Sequence, residues 1–139
     1  MAKNLTNHLP QGFAYLGFHA STPHSAWTPN TDVYETADSL MVKMEIAGIE
    51  REDLEITLKD RLLLVRGRRK DTCRQRDQRC VFRQMEIDYG FFERRIVIPR
   101  SVDGSRVRAQ FRNGFLQIEL PKSSQSEHTT VTVIIEQAG

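Results

Sequence analysis

The sequence predicts an all-β, antiparallel, immunoglobulin-like β-sandwich carrying flexible extensions at both ends. Three observations support that prediction. From residue 31 onward, apolar residues recur at period two in short runs, the pattern of strands with one buried face. Turn signals separate these runs at intervals of about ten residues, which is the rhythm of a sandwich. No segment after residue 30 sustains a helical period over three turns. A chain of 139 residues suits one domain with tails, and folding would bury roughly two-thirds of its extended surface.

The elements follow in order. Asp32-Val33-Tyr34-Glu35-Thr36 alternates, and Asp38-Ser39 marks a turn. Leu40, Val42, Met44 and Ile46 then share one face against Met41, Lys43 and Glu45. Ala47-Gly48-Ile49 breaks the run, and one helical turn is expected around Ile49–Asp53. Leu54, Ile56 and Leu58 alternate with Glu55, Thr57 and Lys59, and Asp60-Arg61 turns tightly into Leu62–Gly67. Residues 69–90 form a long polar connection holding a short isolated strand, Val81–Ile87. Phe92–Ile98 follows and Pro99 ends it. Val107, Ala109 and Phe111 alternate before Asn113-Gly114, and Phe115–Leu120 alternates after it. That arrangement is the strongest short-range hairpin signal, because both turn positions need positive φ. Pro121–His128 reads as a flexible linker, ending in the β-prone Thr130–Glu136. A detached apolar strand beyond a polar linker suggests strand addition onto another surface.

The termini and the charge pattern bear on function. Residues 1–27 form an N-terminal arm whose one formal charge is Lys3, yet it holds Phe13, Tyr15, Phe18 and Trp27 among scattered Gly and Pro. Such a segment builds no core alone and is poorly solvated; Phe13, Tyr15, Phe18 and Trp27 are the expected contacts of a client-binding arm to partners and unfolded proteins, the alternative being an arm packed on its own domain. The main domain is expected over residues 28–121 and a C-terminal extension over 122–139. Residues 32–60 carry nine acids and three bases, whereas residues 61–83 carry nine bases and two acids. Two such stretches attract each other between subunits, or the basic one meets a polyanion.

Enzymatic chemistry finds little footing. His8, His19, His24 and His128 all lie in terminal segments, without the rigid platform a catalytic base needs. No phosphate-binding glycine loop, HExxH or GxSxG occurs. Cys73 and Cys80, seven apart, match no zinc spacing. They are expected to be two reduced thiols in a loop, with a redox switch favoured by Arg74, Arg76 and Arg79 as the sharper alternative. No catalytic residue, cofactor or metal is therefore expected. No run of 18 apolar residues exists, so no membrane span is expected, and the start lacks a secretory core, which points to the cytoplasm.

Four motifs in order carry a family resemblance over residues 27–121. They are Trp27–Thr36; Met44-Glu45-Ile46-Ala47-Gly48-Ile49 with Glu52-Asp53-Leu54; Glu86–Arg94; and Ala109-Gln110-Phe111-Arg112-Asn113-Gly114-Phe115-Leu116 running to Leu120-Pro121. The chain resembles the small heat-shock proteins of bacterial and plant type, built on the alpha-crystallin domain, with Ala109, Asn113, Gly114 and Leu116 as its signature. The resemblance implies a dimer in which Val81, Phe82, Arg83, Met85 and Glu86 pair with a neighbouring subunit. It also implies a C-terminal Ile-x-Ile/Val anchor entering a groove on another subunit. Here Val131-Thr132-Val133 or Val133-Ile134-Ile135 stands in that place, with Val131, Val133 and Ile135 as anchors. Ile56, Leu58, Val107 and Ala109 are the implied groove lining.

The implied activity is that of an ATP-independent holdase: a homodimer or larger oligomer that binds partly unfolded clients under stress and turns nothing over. Two alternatives stand beside it. One is a monomeric co-chaperone adaptor on a related sandwich, opposed by the strand inside the loop and by the C-terminal anchors. The other is a nucleic-acid-binding protein using its basic loop. Single-strand platforms interleave aromatics with charge, and only Phe82 is near that loop.

Overall fold

The computed structural model describes residues 26–71, 73, 79–125 and 130–137. Nine strands form among them: β1 (Thr31–Glu35), β2 (Ser39–Glu45), β3 (Leu54–Lys59), β4 (Leu62–Arg69), β5 (Gly90–Val97), β6 (Arg108–Arg112), β7 (Phe115–Pro121), β8 (Thr130–Thr132) and β9 (Ile135–Gln137). They make two sheets, one ordered β1-β2-β7-β6-β9 and the other β5-β4-β3-β8. Every pairing is antiparallel except β6 with β9. The predicted sandwich is the observed one.

Period-two patterning explains the core. Leu40, Val42 and Met44 of β2 and Leu116, Ile118 and Leu120 of β7 are fully buried, and they pair in register as Leu40↔Leu120, Val42↔Ile118 and Met44↔Leu116. The facing sheet supplies Ile56 and Leu58, Leu63 and Val65, then Phe92 and Ile96. Each such side chain stabilises the fold by about 1.5–3 kcal/mol through area removed from water. Among the described residues one polar side chain, Ser39, is buried with them, and its hydroxyl donates to Glu119 Oε1 at 3.0 Å.

The turns match the residues that make them. Asn113 and Gly114 both take positive φ, 52° and 79°, and join β6 to β7. An ideal Cβ on Gly114 would stand 2.9 Å from the Ala47 Cβ, so this turn needs glycine for conformation and for space. Asp60 at φ 54° turns β3 into β4. The expected helical turn is a 3-10 turn at Arg51–Asp53.

Four expectations are corrected or refined. Trp27, assigned to the client-binding arm, is instead 4% exposed and packs edge-on against Phe92, with ring centroids 5.2 Å apart. It belongs to the domain because its ring closes the end of the core beside β5. Val81–Ile87 is irregular rather than a strand within one chain, where among the described residues no strand pairs with it. The segment after the linker is two strands rather than one, bent at Val133-Ile134. Cys73 and Cys80 are bridged rather than free: they form a disulfide, with Cα atoms 6.7 Å apart, inside the span such a bridge can close.

Candidate assembly and client surfaces

The implied anchor and its groove do meet, and they meet within one chain. β8 pairs with β3 through Thr57↔Thr132, Leu58↔Val131 and Lys59↔Thr130. The Val133 amide then donates to the Ile56 carbonyl at 3.0 Å. After the bend, β9 runs parallel to β6, with Ala109 opposite Ile135. The tail therefore crosses from one sheet to the other and closes the seam between β3 and β6. Val133 and Ile135 are 7% and 5% exposed, while Ile134 between them is 76% exposed. That alternation selects Val133-Ile134-Ile135 as the deeply seated pair. Val131 packs partly buried beside them, in the space left by the absent side chain of Gly104. Of the implied lining, Ile56, Leu58 and Ala109 are buried against this seam, and Val107 packs on the core partly exposed.

The two ends of the 69–90 connection are tied to one point. Arg69 donates through Nε to the Ala47 carbonyl and through Nη1 to the Asp88 carbonyl, both at 2.9 Å. Its guanidinium lies 3.9 Å from the Trp27 ring centroid, a cation–π contact. Burial pulls the Arg69 pKa below its ordinary value, against the opposing fields of Asp88, Tyr89 and Glu45. Trp27 Nε1 donates to the Gly90 carbonyl at 2.9 Å, and the Ala26 amide donates to the Phe91 carbonyl. The root of the arm and both roots of the loop are thus one cluster. Sequence reading missed it because Arg69 looks like one more charge in a basic run.

Beyond that cluster the connection presents apolar side chains to solvent. Val81 is 76% and Ile87 61% exposed, with Phe82 also exposed. Arg83 and Glu86 are exposed and Met85 is half-buried, Glu86 accepting from Gln84 Nε2 at 2.7 Å. Strand β1 is one edge of its sheet, with Val33 and Tyr34 both exposed. Phe13, Tyr15 and Phe18 lie outside the described residues, as do Arg74 and Arg76.

Charges of the basic stretch find partners inside the chain. Lys70 Nζ lies 2.7 Å from Asp53 Oδ2, and this hydrogen bond raises the lysine pKa. Arg66 and Arg95 both hold Glu93, at 2.9 and 2.7 Å. Among the described residues no cluster of three or more metal-ligating side chains occurs, and no helix is long and apolar enough to cross a membrane.

Comparison with known proteins agrees with this architecture. The model of the Hsp20/alpha crystallin family matches residues 32–136. Heat shock protein 16 of Schizosaccharomyces pombe is 33% identical over 104 residues, covering 72% of this chain and 70% of that one. Spore protein SP21 of Stigmatella aurantiaca is 32% identical over 78% of this chain and 63% of its own length. Among solved structures, heat shock protein 16.0 of Schizosaccharomyces pombe superposes with a TM-score of 0.66 at 30% identity, over 74% of this chain and 93% of that one. The hspA protein of Xanthomonas axonopodis does so at 0.61 and 32%, over 69% of this chain and 94% of its own.

Proposed function

This chain belongs to the Hsp20/alpha crystallin family, and from that premise we propose that it is an ATP-independent holdase working as a strand-exchanged homodimer or larger oligomer in the cytoplasm. The observation that carries the reading is the pairing of two unfinished surfaces. Val81, Phe82 and Ile87 expose apolar side chains on a segment with alternating sequence, and β1 is an edge strand that pairs, among the described residues, with β2 alone. A second copy satisfies both at once. Val81–Ile87 of each subunit adds to the β1 edge of the other, with main-chain pairing giving affinity and alternate side chains giving register. Val81, Phe82, Arg83, Met85 and Glu86 are the exchanged residues in this reading.

Clients are held by the N-terminal arm, through Phe13, Tyr15 and Phe18, together with apolar surface that subunit rearrangement uncovers. Stress shifts the population toward species with more of that surface exposed, which needs only a difference in stability between assemblies. Anchors on the C-terminal tail, Val133 and Ile135 foremost, extend dimers into larger assemblies when they dock on another subunit. Binding proceeds without turnover. Nucleic acid is a poorer partner for the basic stretch, since Arg66 and Lys70 are already paired with Glu93 and Asp53. The test is size-exclusion chromatography of the full chain after heating with an aggregation-prone client and no nucleotide. A soluble, co-eluting complex supports the reading, and a client that precipitates alone refutes it.

A further inference from the structure

We propose that Cys73 and Cys80 form a thiol–disulfide switch that sets the reach of the exchanged segment. Closed, the bridge keeps Val81–Ile87 near its own subunit; opened, it frees the segment for a neighbour. The inference rests on the strand-exchanged dimer reading and adds the chemistry that controls it. Cys80 directly precedes Val81, so the bridge sits at the threshold of the segment. The two Cα atoms lie 6.7 Å apart, and both residues are partly exposed, so small reagents reach them. Disulfides in a reducing compartment are transient and redox-sensing, so the proposed cytoplasmic setting makes this one conditional.

Chain geometry gives the direction. Arg69 bonds the Asp88 carbonyl, and Lys70 is held by Asp53, so both roots of the connection are fixed. Ile87, next to Asp88, is anchored there in either state. With free thiols, residues 70–80 let Val81 stand up to roughly 40 Å from Arg69, at about 3.3 Å per residue. The bridge replaces the path from Cys73 to Cys80 with 6.7 Å and cuts that reach to roughly 24 Å. Extended, Val81–Ile87 itself spans roughly 20 Å. Pairing along another subunit's β1 edge holds the two ends of the segment that far apart. The bridge removes most of the geometries that do so and leaves the compact ones.

Three arginines and one aspartate lie between the cysteines in sequence and favour an anionic oxidant, a small acidic disulfide. One cysteine thiolate attacks its S–S bond, giving a mixed disulfide and releasing one small thiol. The second cysteine attacks the mixed disulfide, forming the Cys73–Cys80 bond and releasing the other. The protein loses two electrons, the small disulfide is reduced, and its two thiols carry away the two protein protons.

Native mass spectrometry of the full chain across a concentration series, in glutathione and in glutathione-disulfide buffers, tests this. Oxidation should weaken the dimer at least about tenfold, reversibly, with a bridge of monomer mass on non-reducing denaturing gels. Cys73→Ser with Cys80→Ser should dimerise like the reduced parent in both buffers. A dimer equally tight or tighter after oxidation, a covalent dimer, or no bridge at all would overturn the switch while leaving strand exchange standing. No dimer in reducing buffer would refute strand exchange, and the switch with it.

Discussion

The guanidinium of Arg69 stacks 3.9 Å from the centre of the Trp27 ring, and through this contact the arm, the core and the long loop share one anchor. Trp27 is the only tryptophan, so its environment can be read directly. Native fluorescence should be blue-shifted and resistant to iodide, turning red and quenchable on unfolding. Trp27→Ala should cost about 3–5 kcal/mol in urea denaturation, the range for truncating a large buried aromatic. A loss below about 1 kcal/mol would return this residue to the arm.

Gly67 on β4 offers a sharper packing test. An ideal Cβ there would stand 2.5 Å from Phe92 Cε1 and 2.9 Å from Leu54 Cδ2. Both neighbours are packed, Phe92 edge-on against Trp27 and Leu54 against the core. Gly67→Ala should therefore destabilise by about 1–3 kcal/mol through overpacking, although alanine ordinarily suits a strand better than glycine. A stabilised variant would contradict the packing described.

Glu93 gives a pH signature. Burial alone would raise its pKa, but hydrogen bonds from Arg95 and Arg66 outweigh that and hold it below the ordinary carboxylate value. A lowered native pKa means the ionised form favours folding. The contribution is complete above the unfolded value of about 4.3 and is lost as pH falls through the native value. Glu93→Gln should reduce stability at neutral pH by less than about 1 kcal/mol, the size of partly exposed ion pairs. Urea titrations of parent and variant should differ least in acid, and a gap that widened there would reverse the assignment.

Val81 and Phe82 test the dimer. Val81→Asp with Phe82→Asp places charge on an exposed segment that lies outside the sheets, so circular dichroism should not change. Native mass spectrometry should show the dimer reduced to monomer. A dimer of unchanged stability would place the subunit contact elsewhere.

Much of this molecule is legible in its sequence, and the parts that are not share a cause. Alternation in Leu40–Met44 or Leu116–Leu120 states which face is buried, because a period of two maps directly onto a pleated strand. Asn113-Gly114 names its turn because few residues tolerate positive φ. The spacing of Val133 and Ile135 places both on one face of a strand, whereas Ile56, Leu58, Val107 and Ala109 were named as a groove only through the family resemblance. Relationships across long separations were not legible. Trp27 looks like its aromatic neighbours in the arm until Phe92 and Arg69 are seen around it. The bend at Val133-Ile134 exists because two sheets, not one, receive the tail, and no local pattern encodes that. Cys73 and Cys80 gave a spacing, and a spacing of seven does not by itself state that they pair. Val81–Ile87 carries the alternation of a strand yet forms none in a single chain, since a strand requires a neighbour.

The most direct test of the central claim is light scattering from a heat-aggregating client, with this chain added near stoichiometric amounts and no ATP. The holdase account predicts that scattering is suppressed, and that a chain lacking residues 1–25 but retaining Ala26 and Trp27 suppresses it less at equal fold stability. Undiminished client aggregation in the presence of the full, folded chain would contradict the account.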